Sequence, residues 1–134
     1  MGRRLAVRYF VAQAVAIAAW WAGLATIPSA WAWFTPTGVP RESLVVFAPG
    51  DISVVIASFI LAWGKWRPWA TPLAWSIAGG MTYATICTLA ATMIGTATAL
   101  SSLLMVAAAI ASVVAAAAMT RDPSPSAVSR SAIA

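Results

Sequence analysis

Asp51, in the stretch FAPGDISVV, is the residue of this chain best placed to do chemistry. No other charge follows it before Lys65. A carboxylate inside a membrane-buried run can hold a cation or a hydrogen-bond donor, and such residues often mark substrate or ion paths. Two placements are open. A helix beginning near Pro49 suits proline's missing N–H and puts Asp51 in the first turn, where the helix dipole favours an anion. Such a helix covers about 25 Å from Pro49 to Lys65, and Asp51 then sits at the interface as a structural residue. Alternatively the helix begins near Leu44 and bends at Pro49, which buries Asp51 about 10 Å below the outer end, a costly depth for a charge. Its depth-matched neighbours are then Thr88, Thr92, Ser101 and Ser102, whose hydroxyls would line a small outward-opening pocket.

The rest of the chemical inventory is thin. There is no histidine, one cysteine (Cys87) and only three carboxylates, Glu42, Asp51 and Asp122. Absence of histidine removes His-ligated haem, His-bearing zinc sites and Ser-His-Asp or Cys-His catalysis. One thiol and three scattered carboxylates make a metal site improbable, and no catalytic residue and no cofactor are assigned. Cys87 lies in an apolar run and reads as a small core residue. Gln13 and Tyr83 are lone polar groups whose plainest role is a helix–helix hydrogen bond. The paired glycines of AGGMTY, residues 78–83, follow no strand, so they do not form a nucleotide loop.

The elements that must position Asp51 follow from composition. The chain is 62% hydrophobic and 8% charged, with mean hydropathy +0.88. A soluble domain carries about 25% charged residues, so a water-facing surface cannot be built from this inventory. The expected fold is all-α: a polytopic membrane protein with four spans in one antiparallel bundle. A span needs about 20 residues, and the sequence supplies four, at about 9–27, 44–63, 72–93 and 97–119. Span one is expected to stay in the membrane rather than to leave as a signal peptide. Its apolar run is about 19 residues, against signal cores of about 7–15.

Arg3, Arg4, Arg8, Lys65, Arg67, Arg121 and Arg130 fall on one side of these spans and only Arg41 on the other. Basic residues stay cytoplasmic, so both termini are expected in the cytosol of a bacterial plasma membrane. Arg3, Arg4, Arg8, Lys65 and Arg67 are expected to touch anionic headgroups, at about 1 kcal/mol each. Separate basic clusters between apolar runs are topology signals, so no nucleic-acid partner is expected. Trp63, Trp66, Trp69 and Trp75 gather at the inner boundary and Trp31 and Trp33 in the outer loop, while Trp20 and Trp21 fall deeper, between helices. Loop 28–43 should lie along the outer interface. The Ser/Pro-rich tail, 120–134, is expected to be a disordered cytoplasmic segment.

Spans associate through small residues and hydrogen bonds. Ser76, Gly80, Ala84, Thr88, Thr92 and Thr96 recur every fourth residue and predict a packing seam down span three. Ala12, Ala16, Ala19 and Gly23 of span one, and Ala107, Ala111 and Ala115 of span four, offer further small surfaces. The seam is expected to face a helix of the same chain more readily than another copy.

WWAGLATIPSAWAWF (20–34), FAPGDISVVIASFILAW (47–63) and AGGMTYATI (78–86) resemble the leading membrane region of bacterial isoprenylcysteine carboxyl methyltransferase-like proteins. The shared features are a WW-x-x-L start, a Gly-Asp entering span two and G-x-x-Y-A-T in span three. The likeness covers residues 14–119 and implies the non-catalytic membrane part of such an enzyme, because the histidine-bearing cofactor portion has no counterpart. FTPTGVP, 34–40, is similar to the loop before span two of DoxX-like four-span proteins, although the acidic residue usual in that span is Glu, where this chain has Asp51. The inventory favours a protein without its own catalytic centre: an accessory, scaffold or lipid-interacting subunit. Its partners would be membrane lipids and either a larger membrane complex or further copies of itself. The alternatives are a small-molecule or lipid binder or transporter with a pocket at Asp51, and a methyltransferase-like fragment.

Overall fold

Proline 49 decides how the second span begins. In the computed structural model, which describes residues 1–121, a short helix α3 (Glu42–Val45) stops and a longer helix resumes at Ala48. Val45 is four residues before Pro49, whose ring clashes with the carbonyl at that position and whose nitrogen cannot bond to it. Asp51 N–H instead reaches Phe47 O at 3.1 Å. Both placements drawn from sequence are thus met in part: helical chain precedes Pro49, yet Asp51 lies in the first turn of the longer helix.

The described residues form helices α1 (Arg3–Thr26), α2 (Trp31–Phe34), α3, α4 (Ala48–Trp63), α5 (Ala70–Met93) and α6 (Ala99–Arg121), with a 3₁₀ turn at Pro28–Ala30 and no strand among them. Four segments, Arg3–Thr26, Glu42–Trp63, Ala70–Met93 and Ala99–Arg121, are long and apolar enough to cross a membrane. Exposed Ile52, Ile56, Ile86, Leu103 and Ile110 give the bundle an apolar exterior, which suits hydrocarbon rather than water.

Local chemistry sets the turns. Gly95, at φ +77°, ends α5 in the left-handed conformation that glycine adopts without cost. Thr98 then starts α6, its hydroxyl accepting from Ser101 N–H at 3.3 Å as a helix cap does. In the long loop, Val39 N–H bonds Pro36 O at 3.1 Å, with Gly38 at φ +87° in the third position of the turn.

The core sits where α1, α4, α5 and α6 meet: Phe10, Leu61, Ala74, Ala115 and Met119 are fully buried there. Polar side chains tie the helices together. Tyr9 Oη donates to Ala108 O at 3.0 Å, Ser112 Oγ to Gln13 Oε1 at 3.0 Å, and Thr85 Oγ1 to Met105 O at 3.0 Å. Thr92 and Ser102 hydroxyls bond each other at 2.7 Å.

Several expectations need correction. Helix α1 begins at Arg3, well before residue 9, and Arg3 does not face headgroups. It is 2% exposed, donating to Lys65 O, to Thr71 Oγ1 at 3.3 Å and to Met119 O at 3.1 Å, with its guanidinium over the Trp66 ring. Carbonyls at the ends of α4 and α6 carry partial negative charge, which makes that site better for Arg3 than its charge alone suggests. Arg4, Arg8 and Arg67 are exposed and Lys65 half-buried. The buried face of α5 is Ala74, Ile77, Ala78, Met81, Thr85 and Thr88. Of the expected seam only Thr88 belongs to it, while Ser76 and Gly80 are exposed and Ala84 is half-buried. Ala12, Ala16, Ala19 and Ala107 are likewise exposed. Thr120 and Arg121 belong to α6, and the rest of the expected tail, 122–134, lies outside the described residues.

Candidate functional site

The break before α4 turns the Asp51 carboxylate toward α1. Trp21 Nε1–H donates to Asp51 Oδ2 at 2.8 Å, and among the described residues this is the only partner of that side chain. Trp21 is held in turn against Trp20, their rings edge-to-face at 4.8 Å. Trp20 meets Phe34 of α2 in the same manner at 5.4 Å.

Two cavities flank Asp51. One is a chamber of about 230 Å³ between α1, α4, α5 and α6, walled by Trp20, Phe34, Phe47, Asp51, Thr88 and Ser101, among others. The other, of about 420 Å³, is a groove on the outside of the bundle, walled only by α4, the two residues before it, and α5. At Gly80 the groove has room to spare, since a Cβ there would come no closer than 4.0 Å to Val54. Phe47, Asp51, Met81 and Ala84 belong to both walls. The carboxylate therefore stands where the inner chamber and the lateral groove meet.

Of the residues expected near Asp51, Thr88 and Ser101 border the chamber with it. Thr92 and Ser102 are absent from that wall, because they are spent on each other between α5 and α6. Ser76, Gly80 and Ala84 line the groove. Sequence reasoning did not single out Trp20, Phe34 or Phe47 as wall residues. Phe34 ends α2 and Phe47 precedes α4, so helix breaks were the available signal for those two, while Trp20 lies inside α1 and carried none.

Gln13 also borders the chamber. Its Oε1 is engaged by Ser112, whereas its Nε2, like Trp20 Nε1, is buried without a partner. A half-turn of the amide exchanges oxygen and nitrogen, so Gln13 can serve a donor or an acceptor, whereas an indole only donates. The arrangement brings together one carboxylate, two hydroxyls and aromatic walls, groups that can hold a guest by hydrogen bonds and apolar contact. Among the described residues no three His, Cys, Asp or Glu side chains come together. No family model matches the chain, and no curated protein and no solved structure matches it. That absence bears on neither resemblance noted from the sequence.

Proposed function

We propose that this chain is a small four-span protein of a bacterial plasma membrane that binds an amphipathic molecule in the chamber beside Asp51 and performs no chemistry of its own. The observation that carries this reading is the position of Asp51 at the meeting point of two apolar cavities. Apolar walls with a few convergent polar groups are what small-molecule sites look like, and an ionisable residue at membrane depth is costly unless it is used. The spans run antiparallel with both termini in the cytosol, as the seven-to-one bias of basic residues supports. The chamber then lies in the outer half of the bilayer.

The test is the content of the site after gentle solubilisation. Native mass spectrometry of the purified chain should give a bound lipid or metabolite that Asp51→Leu no longer retains. A chain that carries nothing, and takes up nothing from a membrane extract, sinks the proposal. Topology is checked separately by cysteine labelling in a Cys87→Ala background. Reagents that cannot cross the membrane should reach Thr37→Cys and not Arg67→Cys.

A second reading is favoured by the small residues of α5 that stay off its buried face. Ser76, Gly80 and Ala84 border the groove rather than a neighbouring helix, and small residues let helices approach closely. In this reading the chain is an accessory subunit, and a larger membrane protein co-purifies with it stoichiometrically. Gly80→Leu should release that partner while leaving the bundle folded.

A further inference from the structure

We infer that the molecule held at Asp51 is an apolar monocation, its positive group in the chamber and its hydrocarbon part in the groove between α4 and α5. This rests on the reading of the chamber as a binding site and adds the class of ligand.

Among the described residues no cation pairs with the carboxylate. Its one side-chain partner among the described residues is a neutral indole N–H. Arg41, the nearest basic residue in sequence, lies over the Trp31 ring at 5.5 Å. Lys65 is beyond the far end of α4. A carboxylate drawn out of water without a cation is unfavourable, and a cationic guest offsets that cost. An anionic guest would add repulsion, and a hydrocarbon would leave the charge as it stands.

The walls point the same way. Trp20, Phe34 and Phe47 border the chamber, and aromatic faces attract cations, above all weakly hydrated alkylammonium groups. Size separates head from tail. At about 230 Å³ the chamber falls below the roughly 300 Å³ where drug-sized sites begin, so it takes a head group and no long chain. The wall shared with the groove, at Phe47, Asp51, Met81 and Ala84, is the way for a chain to pass from one cavity to the other. It then lies along the groove beside Val54 and Gly80, on the face of the bundle open to lipid.

The experiment uses the full chain in uncharged maltoside micelles, with binding read by tryptophan fluorescence and calorimetry. The probes are decyltrimethylammonium, 2,2-dimethyldodecane (carbon in place of the nitrogen), decyl sulfate and butyltrimethylammonium. Decyltrimethylammonium should bind at least about tenfold more tightly than its neutral isostere, the scale of one desolvated cation contact. Asp51→Asn should cut that preference to what the aromatic walls supply, while still binding the isostere, which also shows that the variant is folded. Gly80→Phe, which fills the groove, should erase the advantage of the decyl over the butyl chain. Equal binding of cation and isostere, or tighter binding of decyl sulfate, overturns the monocation and leaves the binding site standing. Failure of every probe to bind removes the underlying reading as well.

Discussion

Trp21 and Asp51 lie 30 residues apart in sequence, and their side chains meet at 2.8 Å, indole N–H to carboxylate oxygen. The bond joins the α1 span to the first turn of α4 and fixes the carboxylate at the mouth shared by chamber and groove. A hydrogen bond to a charged group contributes about 1.5–3 kcal/mol. Trp21→Phe keeps most of the ring and removes the donor, so it should lower stability by about that amount. Asp51→Asn can still accept the bond and should cost less. Thermal or denaturant unfolding in micelles measures both, and no loss at all in Asp51→Asn would mean that the charge contributes nothing to the contact.

Arg3 offers a sharper contrast. Its guanidinium is buried on Lys65 O, Thr71 Oγ1 and Met119 O, whereas its neighbour Arg4 is exposed. Arg3→Gln should destabilise the bundle by at least about 3 kcal/mol, the scale of two charge-assisted bonds. Arg4→Gln should stay within about 0.5 kcal/mol, as surface substitutions do. Similar unfolding midpoints for the two variants would contradict the buried clasp.

Threonines of α5 separate bonds between helices from bonds within one. Thr85 Oγ1 reaches Met105 O of α6 as well as its own helix, while Thr82 Oγ1 bonds only Ala78 O. Interhelical bonds in membranes average about 0.6 kcal/mol and reach about 1.7. Thr85→Val should show a loss in that range. Thr82→Val, which opens no gap between helices, should be nearly silent under the same unfolding assay.

Gly95 closes α5 at φ +77° with room for a side chain around it. Gly95→Ala therefore meets backbone strain rather than a clash, and should cost about 1–2 kcal/mol. Gly50→Ala, also in open space but at negative φ, should be neutral or slightly stabilising by helix propensity. The paired unfolding midpoints check the sign of each.

The four spans were legible because length and apolarity are properties of a segment by itself, and Pro49 marked the break in the second one in advance. Which face of a span packs was not legible. Lipid and protein interior are equally apolar, so the four-residue row of Ser76, Gly80 and Ala84 carried no sign of which side it would take. Helix α5 buries Ala74, Ala78 and Thr85 instead. Arg3 escaped for the opposite reason. Its charge suggested water, whereas its partners are backbone carbonyls that leave no mark in a sequence. The meeting of Trp21 with Asp51 depends on how α1 and α4 are turned against each other, which no local pattern encodes.

The clasp at Arg3 also bears on how the protein comes into being. Arg3 is made before the carbonyl that receives it, since Met119 lies 116 residues further along the chain. Lys65 O and Thr71 Oγ1 are made earlier, but the clasp stays incomplete until α6 supplies its carbonyl, so α1 cannot settle into its final seat before then. Its lodging is a late step in biogenesis, and a nascent chain halted before α6 should leave that arginine within reach of water.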